Sequence, residues 1–308
     1  MELYLITGFL GAGKTTLLRN FIRLFSQKRV YLIINEFGKA GIDGTLLQEL
    51  DAAMAEINNG SIFCSCRLDQ FEAVLHQVTE ASPDVVLVEA SGLSDPTNIQ
   101  KILANPDFSG ISYRGSICLI DACRFCRVVE TARMCRKQVA VSSLALVNKI
   151  DLASEEQREE VKNLLLEINP GITIQETSFG NFLPEWLELV QPQPQPQLDE
   201  ALASQDITLQ KACVLFSAET TLTQLKGFLT LVGEETYRMK GFVQTTEGLY
   251  LVDCVSSAIQ LSPYEETVSE EEVGKLVLLA GKGMQLRKSI KQAKAWYGEV
   301  IKEVQYGS

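Results

Sequence analysis

Strand and helix patterns alternate along the N-terminal part of the chain. Short continuous apolar runs predict strands that are buried on both faces, and apolar residues at helical spacing predict helices between them. The predicted strands span residues 2–7, 31–34, 85–88, 117–120, 144–147 and 172–176, and the predicted helices span 15–26, 68–81 and 154–168. This alternation predicts an α/β fold, with a mainly parallel sheet that carries helices on both faces.

The pattern changes after a segment of alternating glutamine and proline at residues 191–197. Alternating proline favours an extended, semi-rigid spacer that joins neither a helix nor a sheet. Beyond it, the predicted strands span 213–216, 241–245, 249–254 and 275–280, and the predicted helices span 222–232 and 289–301. We therefore predict a first domain over 1–190, a linker over 191–199 and a smaller α+β domain over 200–308.

Composition and charge narrow the class of protein. The 308 residues carry a formal net charge of −11, and so acidic a chain is a poor match for the phosphate backbone of nucleic acids. No apolar stretch approaches the roughly 18 residues of a membrane span, and the N-terminal apolar run lacks the basic region of a signal peptide. We expect a cytoplasmic protein that binds neither nucleic acid nor membranes. Its eight cysteines are then expected to be free thiols, core residues or metal ligands.

A phosphate-binding loop follows the first predicted strand. Residues 8–15 match the pattern G-x-x-x-x-G-K-[ST] and precede a predicted helix, which is the context that the pattern requires. Glycines let successive backbone N–H groups point at phosphate oxygens, and the helix N-terminus adds positive charge. Lys14 is suited to the β- and γ-phosphates, and the Thr15 hydroxyl is suited to Mg²⁺. The expected nucleotide-binding residues of this loop are Gly8, Gly11, Ala12, Gly13, Lys14, Thr15 and Thr16.

A second loop carries the pattern N-K-x-D at residues 148–151, after the predicted strand 144–147. The Asp151 carboxylate can accept hydrogen bonds from guanine N1–H and from its exocyclic amine together, whereas adenine lacks this pair of donors. Lys149 can lie along the plane of the base, and Asn148 can tie this loop to the phosphate loop. Alternatively, the segment is a polar turn that only caps the following helix.

Three further segments lie between these motifs, at residues 34–43, 59–66 and 89–96. In this order, with the phosphate loop before them and N-K-x-D after them, they resemble the CobW-like family of P-loop metal-chaperone GTPases. The relatives of that family serve hydrogenase, urease and B12-dependent enzymes. The resemblance is dense from residue 1 to about residue 180. It is weaker in the second predicted domain, where residues 238–243 are similar to the second domain of the family.

The resemblance implies roles for residues between the two motifs. Residues 35–43 are similar to the first switch of the family, and Glu89 with Gly92 is similar to its E-x-x-G second switch. Thr15 and Glu89 are then the expected Mg²⁺ residues, and Lys14, Thr15 and Glu89 the expected catalytic residues. Alternatively, Glu89 is a carboxylate that caps a helix or a turn.

The metal site of the family is a C-x-C-C motif between the switches, and this chain has Cys64-Ser65-Cys66-Arg67. The third cysteine is therefore replaced by arginine, and two thiolates alone are an incomplete tetrahedral site. The resemblance places Glu36 nearby as a third ligand, and water, a partner or a second protomer of a homo-oligomer could supply the fourth. Sulfur and carboxylate ligands favour Zn²⁺ or Co²⁺ as cargo. Alternatively, Cys64 and Cys66 are thiols of a switch loop that bind no metal.

The remaining candidates have weaker patterns. Cys123 and Cys126 form a C-x-x-C half-site with Cys135 further along, which is weak evidence for metal, and His76 is expected to pack or be solvated in mid-helix. Core positions are expected for Cys118, Cys213 and Cys254. A solvated face is expected for the acidic run Glu265, Glu266, Glu270, Glu271 and Glu272.

Together, the residues and the resemblance predict a GTP-hydrolysing metallochaperone with bound GTP or GDP and Mg²⁺. Its client is expected to be a metalloenzyme or a cofactor-dependent protein. Turnover is expected to be slow, because no base that orients water can be named. One alternative is a GTP-driven switch that assembles or reactivates a partner, for example a corrinoid-dependent enzyme, without carrying metal. A further alternative is a small-molecule kinase that uses ATP.

Overall fold

The computed structural model describes residues 1–34, 53–56, 68–194, 210–265, 267–269, 272–281 and 283–307. The chain forms two compact units, Met1–Gln205 and Asp206–Ser308. Within the described ranges, no helix combines the length and the apolar character that a bilayer crossing requires.

The first unit is built on a parallel sheet. Its seven strands, in the described residues, are β1 (Glu2–Thr7), β2 (Val30–Ile34), β3 (Ala53–Glu56), β4 (Val85–Glu89), β5 (Ser112–Asp121), β6 (Leu144–Asn148) and β7 (Thr173–Glu176). Their order in the sheet is β3-β2-β4-β1-β5-β6-β7, and every neighbouring pair is parallel. The chain moves away from β1 in one direction and later returns to its other side with β5. Such a reversal opens a crevice at the carboxyl ends of the strands, where α/β sheets bind ligands.

Consecutive residues of each strand point to opposite faces of the sheet. Both faces are apolar, and helices cover both of them. In the described residues the helices are α1 (Lys14–Ile22), α2 (Leu68–Ala81), α3 (Ile99–Leu103), α4 (Phe125–Thr131), α5 (Arg133–Ala140) and α6 (Glu155–Ile168), and the 3₁₀ turn Arg23–Phe25 extends α1. In β1, Tyr4 packs in one core cluster with Phe21 of α1, whereas Leu3 packs in the other with Phe71 of α2. The predicted α/β class is confirmed.

The second unit is a smaller α+β structure, as predicted. Its elements are β8 (Gln210–Phe216), α7 (Leu222–Gly233), β9 (Arg238–Thr245), β10 (Gly248–Cys254), β11 (Leu261–Pro263), β12 (Lys275–Ala280), α8 (Leu286–Tyr297) and β13 (Ile301–Gly307). The strands form an antiparallel sheet in the order β11-β10-β9-β12-β8-β13. Phe228 of α7 and Ile290 of α8 pack in one cluster with the buried side of the sheet.

Two sequence predictions in this unit are wrong. The predicted closing helix 289–301 ends at Tyr297, and Ile301 instead begins β13, where it pairs with Phe216 of β8. The β-branched residues near the end of the chain favour a strand once β8 offers a free edge. Cys213 is only half-buried, because alternation in β8 sends Ala212 and Val214 to the core and Cys213 to the other face. Cys118 and Cys254 are buried as predicted.

The first residues of the glutamine and proline segment are held by the first unit. The backbone N–H of Gln191 donates to Ser143 Oγ at 3.0 Å, and the Gln193 carbonyl oxygen accepts from Gln100 Nε2 at 2.7 Å. Gly115 has a φ of +129°, and a Cβ there would lie 2.5 Å from the Gln191 carbonyl oxygen. This close approach therefore requires glycine. The rest of the predicted linker, residues 195–199, lies outside the described residues.

Candidate nucleotide-binding site

The phosphate loop joins β1 to α1 through left-handed glycine backbone. Gly8, Gly11 and Gly13 have φ angles of +136°, +76° and +103°. A Cβ on Gly8 would overlap the Leu119 carbonyl oxygen of β5, so that only glycine fits there. Gly13 is the N-cap of α1. The first N–H groups of this helix therefore lie at the loop, where they form a site suited to an anion.

Lys14 and Thr15 bring a cation and a hydroxyl to the start of α1. Lys14 Nζ donates to the carbonyl oxygens of Gly8 at 2.9 Å and Phe9 at 3.2 Å. Thr15 Oγ1 donates to Glu89 Oε1 at 3.2 Å, and Glu89 is only 3% exposed at the end of β4. Since β4 lies beside β1, strand order places this carboxylate next to the phosphate loop.

Asn148 joins the phosphate loop to the loop that carries N-K-x-D. Its Nδ2 donates to the Ala12 carbonyl oxygen at 2.8 Å, and its Oδ1 accepts from the Gly180 N–H at 3.0 Å. Asn148 is buried at the end of β6. Both polar ends of one amide are thus satisfied inside the protein, which fixes the distance between the two loops.

Lys149 makes a second connection between the loops. Its backbone is left-handed, with a φ of +63°. Its Nζ donates to the Gly11 carbonyl oxygen and to Asp121 Oδ2, each at 2.7 Å. The stem of Lys149 therefore runs from the N-K-x-D loop across to the phosphate loop. Asp151 lies in the following 3₁₀ turn, Ile150–Leu152, where it is exposed.

The sequence patterns missed three contributors to this site. Asp121 ends β5 and pairs with Lys149, and its Oδ1 accepts from the Cys123 N–H at 3.0 Å. Gly180 follows β7 in left-handed backbone, with a φ of +61°, and Asn20 Nδ2 donates to its carbonyl oxygen at 3.0 Å. The available signal was position, because these residues follow the carboxyl ends of predicted strands or lie on the helix after the phosphate loop.

Burial keeps several thiols near this site protonated. It raises the pKa of Cys118 in β5 to about 12, against a smaller lowering by the charge of Lys14. Burial, followed by the Glu160 carboxylate, raises the pKa of Cys126 to about 11. Burial also raises the pKa of the exposed Cys123. Thiolates are the form that binds metal, and the described residues contain no group of three or more His, Cys, Asp or Glu side chains suited to a metal ion.

The predicted metal residues Cys64, Cys66 and Glu36 lie outside the described residues, as do the predicted switch 35–43 and the segment 59–66. His76 is exposed on α2, and its ring centroid lies 5.0 Å from that of Phe108, which is the predicted helix-packing role. Of the acidic run, Glu265 and Glu272 are exposed. The other three glutamates lie outside the described residues.

Comparison with known proteins places these motifs in a family. A family model described as "CobW/HypB/UreG, nucleotide-binding domain" matches residues 2–176, which is more than half of the chain. A zinc chaperone CobW of Sinorhizobium sp is 37% identical over 126 residues, 38% of this chain and 35% of that protein. A zinc chaperone YeiR of Escherichia coli strain K12 is 32% identical over 165 residues, 51% of this chain and 49% of that protein.

Among solved structures, Zn(II)-bound YjiA GTPase from E. coli aligns over 96% of this chain and 98% of that chain, with 19% identity and a TM-score of 0.48. The matched part of the chain spans about half or less of the two curated relatives.

Proposed function

Because this chain belongs to the CobW/HypB/UreG nucleotide-binding family, we propose that it binds GTP, hydrolyses it to GDP and phosphate, and couples the nucleotide state to metal delivery. The metal cargo is Zn²⁺ or Co²⁺, and the recipient is a client protein. The observation that supports this proposal most directly is the Asn148 side chain, which donates to Ala12 of the phosphate loop and accepts from Gly180.

The phosphate half of the site is suited to charge stabilisation. The loop amides, the N-terminus of α1 and the Lys14 ammonium group converge on the space next to β1, where they would bind the phosphates and stabilise charge on the transferring phosphoryl group. Thr15 Oγ1 and Glu89 Oε1 lie 3.2 Å apart, and Mg²⁺ prefers such oxygen ligands. Mg²⁺ held by these two residues would neutralise charge on the phosphates.

The base half of the site is suited to guanine. The exposed Asp151 carboxylate follows Lys149, whose amino group is fixed by Gly11 and Asp121. A carboxylate here satisfies the two neighbouring donors of guanine, whereas adenine would leave it unpaired. We expect slow intrinsic turnover, because the described residues assigned here bind phosphate, Mg²⁺ or base and none is assigned to activating water.

The metal half of the proposal rests on Cys64, Cys66 and Glu36, which follow the first strands in sequence. Several relatives are named zinc chaperones, and one is named a zinc-regulated GTPase metalloprotein activator, which supports zinc as the cargo. Because these residues lie in or between the proposed switches, γ-phosphate occupancy and metal binding would favour one shared arrangement of the loop.

The replacement of the third family cysteine by Arg67 favours a second candidate function. A guanidinium group next to two thiols lowers their pKa but repels a divalent cation. In this alternative, the protein is a GTP-driven switch that assembles or reactivates a partner enzyme and carries no metal.

A metal titration separates the two candidates. Wild-type protein with Mg²⁺ is titrated with Zn²⁺ and with Co²⁺, once with GDP and once with a non-hydrolysable GTP analogue. We expect stoichiometric binding whose affinity differs between the nucleotides, since linkage is reciprocal. Binding should be lost in Cys64→Ser/Cys66→Ser and kept in the control Cys213→Ser, which removes a half-buried thiol of the second unit. Equal metal affinity with both nucleotides would contradict the proposed coupling of metal to nucleotide state, and no metal bound would favour the switch without cargo.

A further inference from the structure

Residues 90–95 follow Glu89, and this segment lies against the phosphate loop on one side. The Ala90 N–H donates to the Ile6 carbonyl oxygen of β1 at 2.9 Å. Gly92 is buried against Leu10, and a Cβ on Gly92 would lie 2.6 Å from the Leu10 backbone nitrogen. The backbone of Gly92 therefore touches the loop that holds the phosphates in the proposed function. Any movement of this segment changes the surface next to that loop.

A buried amide on α5 holds the same segment from its other side. Gln138 is 1% exposed, and its Nε2 donates to the carbonyl oxygens of Gly92 at 3.1 Å and Ser94 at 3.3 Å. Gln138 Oε1 is buried and accepts no hydrogen bond from the described part of the chain. An unsatisfied buried acceptor is unfavourable. The two hydrogen bonds that Nε2 donates to carbonyl groups of one turn offset this cost.

Lys137, the residue before Gln138, forms an ion pair with Asp95 at the C-terminal end of the segment. Lys137 Nζ lies 2.6 Å from Asp95 Oδ2, and the Lys137 side chain is only 4% exposed. Asp95 Oδ1 accepts from the Thr97 N–H at 3.1 Å and so caps the 3₁₀ turn Pro96–Asn98. Removing one partner of such a pair leaves a buried charge uncompensated. Adjacent side chains of α5 therefore determine where residues 92–95 lie.

We propose that Gln138 and Lys137 are positioning residues that press Gly92 against the phosphate loop and thereby make the site selective for a nucleoside triphosphate over a diphosphate. This inference rests on the proposed GTP-binding function. Glu89 accepts a hydrogen bond from Thr15 and Gly92 lies against Leu10, so this stretch of chain borders the phosphate loop at two points. In the proposed function, the third phosphate of a triphosphate would extend beyond the glycines and the helix N-terminus towards this stretch, so triphosphate affinity would depend on it more than diphosphate affinity does.

The test is the ratio of two dissociation constants, for GDP and for a non-hydrolysable GTP analogue with Mg²⁺, in the full chain. In Gln138→Ala we expect the affinity for the analogue to fall about tenfold relative to GDP, since two buried carbonyl groups lose their donor. Lys137→Met should change the ratio in the same direction, and Lys137→Arg should retain most of the wild-type ratio. Gln138→Ala and Lys137→Met each remove a different contact, so the test can still be made if one of them does not fold.

Asn169→Ala is the matched control. Asn169 Nδ2 donates to the carbonyl oxygens of Val139 at 3.1 Å and Ser142 at 2.9 Å, so it anchors the same end of α5 without touching the segment. We expect a similar loss of stability and a ratio within about twofold of wild type. Equal losses for both nucleotides in Gln138→Ala would overturn the inference and leave GTP binding intact. Wild-type protein that bound neither nucleotide would overturn the proposed function and the inference with it.

Discussion

Single polar side chains assemble this site by joining loops that are distant in sequence. The sequence predicted Lys14 and Asn148, because each belongs to a motif whose spacing has a physical reason. It could not predict that Asp121 pairs with Lys149 or that Gln138 binds Gly92. Those contacts depend on strand order and helix placement, which periodicity does not determine. The predicted metal residues lie outside the described part of the chain and stay predictions.

The Cys118 thiol predicts an alkaline loss of stability. Its pKa is raised from 9.0 to about 12 by burial, so the folded state keeps it protonated where the unfolded chain has ionised it. This stability is fully present below the unfolded pKa and is lost as the pH rises towards the folded value. The slope approaches about 1.4 kcal/mol per pH unit for one thiol.

The free energy of unfolding of wild type and of Cys118→Ala is measured by urea titration at several pH values from about 8 to about 11. The free-energy difference between the two proteins should shrink as the pH rises. Cys213→Ala is the control, because burial raises the pKa of this half-buried thiol less than that of Cys118, so its free-energy difference should change less with pH. A difference between wild type and Cys118→Ala that stays constant with pH would contradict the assigned pKa.

At the scale of elements, the sequence predicts the bounds of those helices and strands whose apolar residues recur with a clear period. β12 and α2 have their predicted bounds, and Ser154 with Gln157 forms a capping box at the start of α6. β3 was missed because Ala53–Glu56 has no apolar run. The closing helix was extended too far because the strand that replaces its end needs β8 as a partner. The pairing of β13 with β8 joins residues that are far apart in sequence, and a pattern within one segment does not predict such pairing.

Ser154→Ala tests the start of α6. The Ser154 hydroxyl accepts from the Gln157 N–H at 3.3 Å, and the Gln157 side chain accepts from the Ser154 N–H at 2.9 Å. We expect the unfolding free energy to fall by about 1 kcal/mol. The control Glu159→Ala removes an exposed contact with Lys162 on the same helix and should cost less than about 0.5 kcal/mol. Urea unfolding of both variants checks this, and equal losses would show that the cap adds nothing.

At the scale of the whole molecule, the first unit carries the proposed nucleotide site and also holds the start of the glutamine and proline segment. The segment after Glu89 continues through Pro96–Asn98 into α3, where Gln100 donates to the Gln193 carbonyl oxygen. A continuous run of chain thus leads from the proposed phosphate site to Gln100, and a hydrogen bond links Gln100 to residue 193. Composition predicted an extended segment there, but this docking depends on the glycine at 115 and on tertiary contacts that no pattern encodes.

Equilibrium binding of guanine and adenine nucleotides, measured by calorimetry with Mg²⁺, tests the proposed site most directly. We predict that wild-type protein binds GDP and a GTP analogue but not ATP or ADP. Asp151→Asn should weaken guanine binding at least about tenfold because it replaces one of the two acceptor oxygens by an NH₂ donor that faces a donor of the base. The control Leu152→Ala, which changes an exposed neighbour, should bind as wild type. Equal affinity for ATP and GTP, or no Mg²⁺-dependent affinity for either guanine nucleotide, would contradict the assignment.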